Sequence, residues 1–540
     1  MKKTMAARLL VLLFFAALTA IGLVTCGDYG VPMDESWEQQ TLQENMHEYA
    51  QRLGLDEDVK WFRQRKIGLI SESTEKDHGQ SAYYLFMPMM KKLADQPHQL
   101  HTAWLAYTWL WFMAGVWAVY GFSRETGMTR LVSCLGTMVL YLCPRFFAEG
   151  HYNNKDMVLL SLVLLSLWLG VRFLKKPCVW RGVLFSLAGA LAANTKIAGA
   201  IGWGLMGLCA IVLVTAQKNW SRRMAGTAAV TVLSFAGFYV LLTPAMWTDM
   251  GGYFAYLIEN AAGFTRWTGV VVFRDVLFDQ AVEKLPRYYL PWMMAVTLPL
   301  YVFPLAGCGQ IAAAVRVWQQ KKEALQDPTS MALMAATLCW MLPLCAAVLV
   351  NPTMYNGWRH FYFVYAGLAL LAARGISAMV RFGRHYGGDC GMHLVLAAGL
   401  ILFFGWTARG IVQNHPYQHS YYNLLGHSNA ASAMELDYWE LSTKNALEKL
   451  LASEERNTRL RVEVGAMEDM SWLGLKNARS AMEPQEKKKL RLTYRKDTPY
   501  IFSNTTYARI YGTKPPRGYH ELITLESYDI PICTIYERNW

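Results

Sequence analysis

The chain has 540 residues, 54% of them hydrophobic, with 20 Trp, 29 Tyr and a formal charge of +12. Apolar runs long enough to cross a bilayer recur along most of its length, which excludes a soluble enzyme and fits a polytopic α-helical membrane protein. The positive charge does not indicate nucleic acid, because the basic residues collect in alternate connections between apolar runs, as membrane topology requires. The ten cysteines are scattered, mostly inside apolar runs, and have no Cys-x-x-Cys spacing, so neither a metal site nor a disulfide framework is indicated.

Lys2, Lys3 and Arg8 precede the apolar run Leu9 to Thr25. This has the shape of a secretory signal, but the many apolar runs that follow favour a retained first helix with its N-terminus in the cytoplasm. A long polar loop, residues 26–102, comes next. Further runs lie near 103–121, 131–147, 157–174, 179–193, 197–216, 224–247, 291–313, 331–350, 361–380 and 391–411. The reading expects eleven spans, with the third and fifth short for a hydrocarbon core of about 30 Å. An odd number makes residues 1–411 the transmembrane domain and sets 412–540 on the outer face of a plasma membrane. Within 251–290, a second outer loop, "YFAYLIENAAGFTRWTGVVVF" suits a helix lying in the interface. The tail reads as a small α/β domain: Thr443 to Glu455 is expected to be helical, and "RLRVEVGA", "PYIFSN" and "PICTIYE" to be strands.

Cations fall where this topology puts the cytoplasm: Arg124 and Arg130; Arg172, Lys175, Lys176 and Arg181; Lys218, Arg222 and Arg223; Arg316, Lys321 and Lys322; and Arg374, Arg381 and Arg384. Arg145, Lys155, Lys196 and Arg359 are the exceptions, in short outer loops. Cations held against the topological bias suit a bound anion such as a phosphate, through charge-assisted hydrogen bonds. The plainer alternative is contact with lipid head groups, or ion pairing with Glu149 or Asp156. Just beyond the first span, Asp34 and Glu35 form an acidic pair fit for a general base, a metal ligand or an acceptor-binding group. Equally, Asp34 suits the N-cap of a helix "ESWEQQTLQENMHEYAQRL" with Glu35 in its first turn.

An acidic pair after the first helix, cations in successive outer loops and an outer C-terminal domain resemble the GT-C superfamily of glycosyltransferases that use polyprenyl-phosphate sugars. Within it, the chain is most similar to the protein O-mannosyltransferase group and its bacterial relatives. The resemblance is carried by "MDES" (33–36), "PRFFAEGHYNNKDM" (144–157), "NTK" (194–196), "NPTMYNGWRHFYF" (351–363) and "HPYQHSYYN…ELDYWELSTKNAL" (415–447). The mannosyltransferases carry a His-Pro-Pro element in the first loop; here "DHGQSAYY" has His78 followed by Gly79, which weighs against a protein acceptor. The resemblance implies an inverting enzyme that moves one sugar from a lipid monophosphate to an acceptor hydroxyl of a protein, glycolipid or cell-wall polymer. It puts Asp34 at the position of the base, with Glu35 assisting acceptor contacts.

Breaking the bond between an anomeric carbon and a phosphate oxygen builds negative charge on the phosphate, so fixed cations aimed there lower the barrier. Arg145 and Lys155 are the first choices, with His151, Asn153 and Asn154 orienting phosphate or sugar hydroxyls and Asp156 holding Lys155. Lys196, Arg359 and His360 approach from the other loops. For His151, Asn153 and Asn154 the alternative is satisfaction of backbone groups at helix ends. No metal or other cofactor is expected. A transporter or flippase of a lipid-linked or anionic solute is the rival function. It is disfavoured because the spans are largely uncharged and no internal repeat is visible.

Overall fold

The computed structural model describes residues 2–262, 269–386, 391–454, 461–495 and 497–539. Helices dominate up to Gln413, and a small five-stranded sheet domain follows. Among the described residues, seven helices are long and apolar enough to cross a membrane, or nine if each of two bent pairs counts as one span. The chain is therefore a multi-pass membrane protein with fewer full-length spans than the eleven expected.

The shortfall has local causes. The third apolar run divides into Arg130–Tyr141 and Pro144–Tyr152, set at 74°. Pro144 starts the second piece, where its missing N–H costs nothing. The eighth divides into Tyr289–Thr297 and Val302–Gln326 at 110°. Helix Val179–Thr195 has 17 residues, fewer than the roughly 20 that span a hydrocarbon core.

Two spans form the centre of the bundle, Asp156–Lys175 and Arg359–Gly383, with 78% and 83% of their apolar stretches buried. Helix Tyr365–Tyr386 lies against Val302–Gln320 with almost no space between the backbones. A Cβ added to Gly375 would stand 1.9 Å from the Leu305 carbonyl oxygen, and one added to Gly309 would stand 1.8 Å from that of Leu371. Small residues permit this approach, and close packing is what holds helices together in lipid.

Helix Met250–Ala262 takes the first part of the segment expected to lie in the interface. Residues 263–268 fall outside the described set, and "VVVF" is a strand rather than helix. Strands β1 (Val270–Phe273) and β2 (Val276–Asp279) form an antiparallel hairpin whose turn residues, Arg274 and Asp275, both have positive φ. That is the turn geometry which matches strand twist. Hydrogen bonding of Arg274 N to the Ala433 carbonyl, at 2.8 Å, ties the hairpin to the tail.

The C-terminal sheet contains β3 (Val462–Ala466), β4 (Leu490–Leu492), β5 (Tyr500–Asn504), β6 (Tyr519–Ser527) and β7 (Ile530–Arg538), in the order β4-β3-β5-β7-β6. β3 pairs in parallel with β4 and β5, while β7 is antiparallel to β5 and β6. The three strands expected from sequence are β3, β5 and β7, and the expected helix is Ser442–Ser453. The tail docks on the segment just after the first helix: Met33 N donates to the Trp439 carbonyl at 3.1 Å and Lys444 Nζ to that of Gly27 at 3.1 Å. Gly30 is required here, since a Cβ would lie 2.0 Å from the Leu441 carbonyl oxygen.

Gly375→Leu should force helix Tyr365–Tyr386 away from Val302–Gln320, with an overpacking cost of about 1–3 kcal/mol or more. Thermal unfolding in detergent is expected to show a lower midpoint than the wild type, whereas Gly207→Leu, where an added Cβ meets no atom, should leave it nearly unchanged.

Candidate active site

A cavity of about 440 Å³ opens where the helix bundle meets the sheet domain. Its walls come from the start of helix Glu35–Leu53, Glu75 and His78, the connection 153–156, Lys196, the start of the β1 hairpin, the segment 355–360 and the tail. Lys155 directly precedes helix Asp156–Lys175, and Arg359 begins the short turn that leads into helix Tyr365–Tyr386. Lys196 stands between Val179–Thr195 and the helical turn Ile197–Gly199. Lys155 and Arg359 thus sit where helical segments begin, a place that favours an anion and disfavours an unpaired cation, whereas Lys196 caps the C-terminal end of Val179–Thr195.

Asp34 occupies the N-cap position of helix Glu35–Leu53, but its side chain makes no capping bond. Its Oδ2 instead accepts from Arg359 Nη1 at 2.8 Å. The Arg359 guanidinium lies 4.5 Å from the ring centroid of Trp439 and 5.3 Å from that of Tyr355, within cation–π range of both rings. Lys155 Nζ stands 2.6 Å from Glu38 Oε1. Burial works against the Lys155 charge, but Glu38 and then Glu75 outweigh it and raise its pKa above the usual lysine value. Lys196 Nζ is paired with Asp156 Oδ1 and lies 3.0 Å from His360 Nδ1. There burial prevails over Asp156, and the pKa of Lys196 is lowered. Asp156 therefore holds Lys196, not Lys155 as expected; Lys155 is held by Glu38, one helical turn beyond Asp34.

Asp34, Asn153, Asn154, Lys155, Asp156, Lys196, Arg359 and His360 all line the cavity. Asn153 is also engaged in the chain reversal: its Oδ1 accepts from Asp156 N at 2.8 Å and its Nδ2 donates to Glu149 Oε2 at 2.7 Å. Asn154 Nδ2 reaches Gln80 Oε1 at 3.4 Å.

Three expected site residues lie elsewhere. Glu35 is buried and accepts from His101 Nδ1 at 2.8 Å, because neighbouring positions on a helix face different ways. Arg145 is buried, donates to the Tyr421 carbonyl at 3.2 Å and lies 5.3 Å from the Tyr422 ring centroid. His151 is stacked between Trp109 at 4.2 Å and Tyr29 at 4.4 Å, with Nδ1 2.9 Å from the Phe147 carbonyl. Each serves packing and internal polar satisfaction, and none reaches the cavity.

The residues that sequence reading missed are Glu38 and the aromatic wall of Trp37, Tyr355, Tyr438, Trp439 and Tyr507. Trp37 and Glu38 follow Asp34 by three and four positions, the spacing of one helix face, and this was the available signal. No local pattern marks Tyr438, Trp439 or Tyr507, which come from the docked tail. A second chamber of about 270 Å³ adjoins the first and shares His78, Lys196, Tyr355 and His360 with it. Among the described residues, no group of three or more His, Cys, Asp or Glu is arranged to hold a metal ion.

No family model matches the chain, and no curated protein matches it. Two solved structures align along nearly all of it, both of ArnT from Cupriavidus metallidurans. The apo form is 12% identical, with 98% of each chain covered and a TM-score of 0.47. The form bound to undecaprenyl phosphate is 13% identical, with 97% of each chain covered and a TM-score of 0.45. Likeness at that level carries no argument about chemistry, which rests on the residues themselves.

Glu435, in the tail, is buried, and its carboxyl faces hydrogen-bond donors on the Val272 backbone and the Asn356 side chain. Burial pushes its pKa up to about 7. The folded protein therefore holds a proton that the unfolded chain gives up at a lower pH, and stability falls as pH rises from the ordinary glutamate range to about 7. Glu435→Gln should remove this part of the pH dependence, raising the thermal midpoint at pH 8 more than at pH 5.

Proposed function

We propose that this protein is an inverting glycosyltransferase that moves a single sugar from a polyprenyl-phosphate-linked donor to an acceptor hydroxyl at the outer face of the membrane. One observation carries the reading: at one end of an apolar helix bundle, a single cavity brings a part-exposed carboxylate, Asp34, together with Lys155, Lys196 and Arg359. A lipid phosphate entering from the bilayer meets cations and helix starts, and the aromatic wall of Trp37, Tyr438 and Trp439 offers apolar faces to a sugar ring.

In this reading the hydroxyl of a protein, glycolipid or cell-wall acceptor gives its proton to Asp34 as its oxygen attacks the anomeric carbon on the side opposite the phosphate. The configuration inverts. Lys155, Lys196 and Arg359 stabilise the charge that grows on the departing polyprenyl phosphate, while Asn154 and His360 orient its oxygens or the sugar hydroxyls. Asp156 and Glu38 pair with the two lysines and hold them in place. The distribution of cations supports an outer-face assignment for the cavity and the sheet domain.

Asp34→Asn tests the chemistry. The side chain is nearly isosteric and caps no helix, so folding should survive. Turnover of a polyprenyl-phosphate sugar at saturating donor and acceptor is expected to fall by roughly 10²–10⁴-fold. Near-normal turnover would move the base elsewhere, and solute flux in proteoliposomes without sugar transfer would favour a transporter. Sidedness has its own check: cysteine introduced at exposed Lys514 should react with an impermeant thiol reagent applied outside, and cysteine at exposed Lys321 only after permeabilisation.

A further inference from the structure

The three ion pairs at the cavity are not equivalent. In the Lys155–Glu38 and Lys196–Asp156 pairs both partners are largely shut off from water, with carboxylates 9% and 3% exposed. In the third, Arg359 is 11% exposed but Asp34 is 40% exposed. The guanidinium is anchored on Trp439 and Tyr355, whereas Asp34 is attached through one hydrogen bond, from Nη1. The buried Nε of Arg359 has no hydrogen-bond partner among the described residues. Arg359 is thus a fixed fork with unused donor capacity and a partner that can leave.

We propose that Arg359 is handed from Asp34 to the phosphate in the course of transfer, so that the same guanidinium first restrains the base and then stabilises the leaving group. The idea rests on the function proposed above. In the chemical step the acceptor oxygen bonds to the anomeric carbon. The bond from that carbon to the phosphate oxygen breaks, with its electron pair staying on the phosphate, and the hydroxyl proton passes to Asp34. Asp34 loses its negative charge in the step in which the phosphate changes from a singly charged diester to a monoester with a second negative charge. Arg359 has a counter-charge throughout, and its attraction to the phosphate is greatest once Asp34 has been neutralised. An interaction that strengthens only along the reaction coordinate lowers the barrier without tightening the ground state.

Before the reaction, Asp34 and the donor phosphate compete for Arg359. Binding of a polyprenyl methyl phosphodiester, a singly charged analogue without a sugar, is to be measured on the full chain in nanodiscs. Wild type, Asp34→Asn, Arg359→Gln and the double variant are compared. Asp34→Asn should tighten binding by about 2- to 5-fold, the scale of a part-exposed ion pair. Arg359→Gln should weaken binding, and the double variant should show no gain over Arg359→Gln alone. Should Arg359→Gln fail to fold, Arg359→Lys keeps the charge without the fork and should reduce the gain. Equal affinity of wild type and Asp34→Asn, or the same gain with and without Arg359, would overturn the hand-over while leaving the proposed function standing. Failure of every protein, wild type included, to bind the analogue would overturn both.

Discussion

Three cations stand at helix ends at one end of the bundle, largely shut off from water, and removing a cation from water costs several kcal/mol unless an opposite charge faces it. The polar stretch after the first helix answers much of that demand, with Glu38 against Lys155 and Asp34 against Arg359. Asp156 supplies the rest from the first turn of a central helix, where a carboxylate also suits the helix dipole. The loop and the bundle are therefore electrostatically interdependent: without the loop, the central helices would present two uncompensated charges. Pairing also leaves the cavity uneven, with two closed pairs and one open to water.

Much of the architecture follows from hydropathy alone. The expected helical membrane bundle with a small α/β tail is present, and the apolar runs all fall on helices. The broken third and eighth runs escaped because a hydropathy window sums over residues and does not register a bend at Pro144 or a near-perpendicular corner between Thr297 and Val302. In the tail, β3, β5 and β7 were legible from β-branched and aromatic content, whereas β4 is short and β6 carries charged residues such as Glu521 and Glu526.

Of the four cations that break the topological bias, Lys155, Lys196 and Arg359 line one cavity and Arg145 does not. Arg145 shares the loop with Lys155, but lies in a helix turned toward Tyr421 and Tyr422, and charge pattern does not specify direction. Glu35 is adjacent to Asp34 in sequence but faces His101 instead of the cavity, since a helix rotates consecutive side chains apart. His151, polar by type, behaves as an aromatic plate between Trp109 and Tyr29. The wall provided by Tyr438 and Trp439 was invisible because it depends on a contact across some four hundred positions of chain, Met33 to Trp439.

That last contact has a bearing on biosynthesis. Helices enter a membrane in order as the chain is made, so Asp34, Lys155, Lys196 and Arg359 are all in place well before the ribosome reaches Tyr438 and Trp439. Until the tail emerges and settles against Gly30 and Met33, the carboxylate and its cations lack the wall that Tyr438, Trp439 and Tyr507 supply. Completion of the pocket is thereby timed to completion of the polypeptide, and a prematurely terminated product would carry every charge of the site without an enclosure in which to use them.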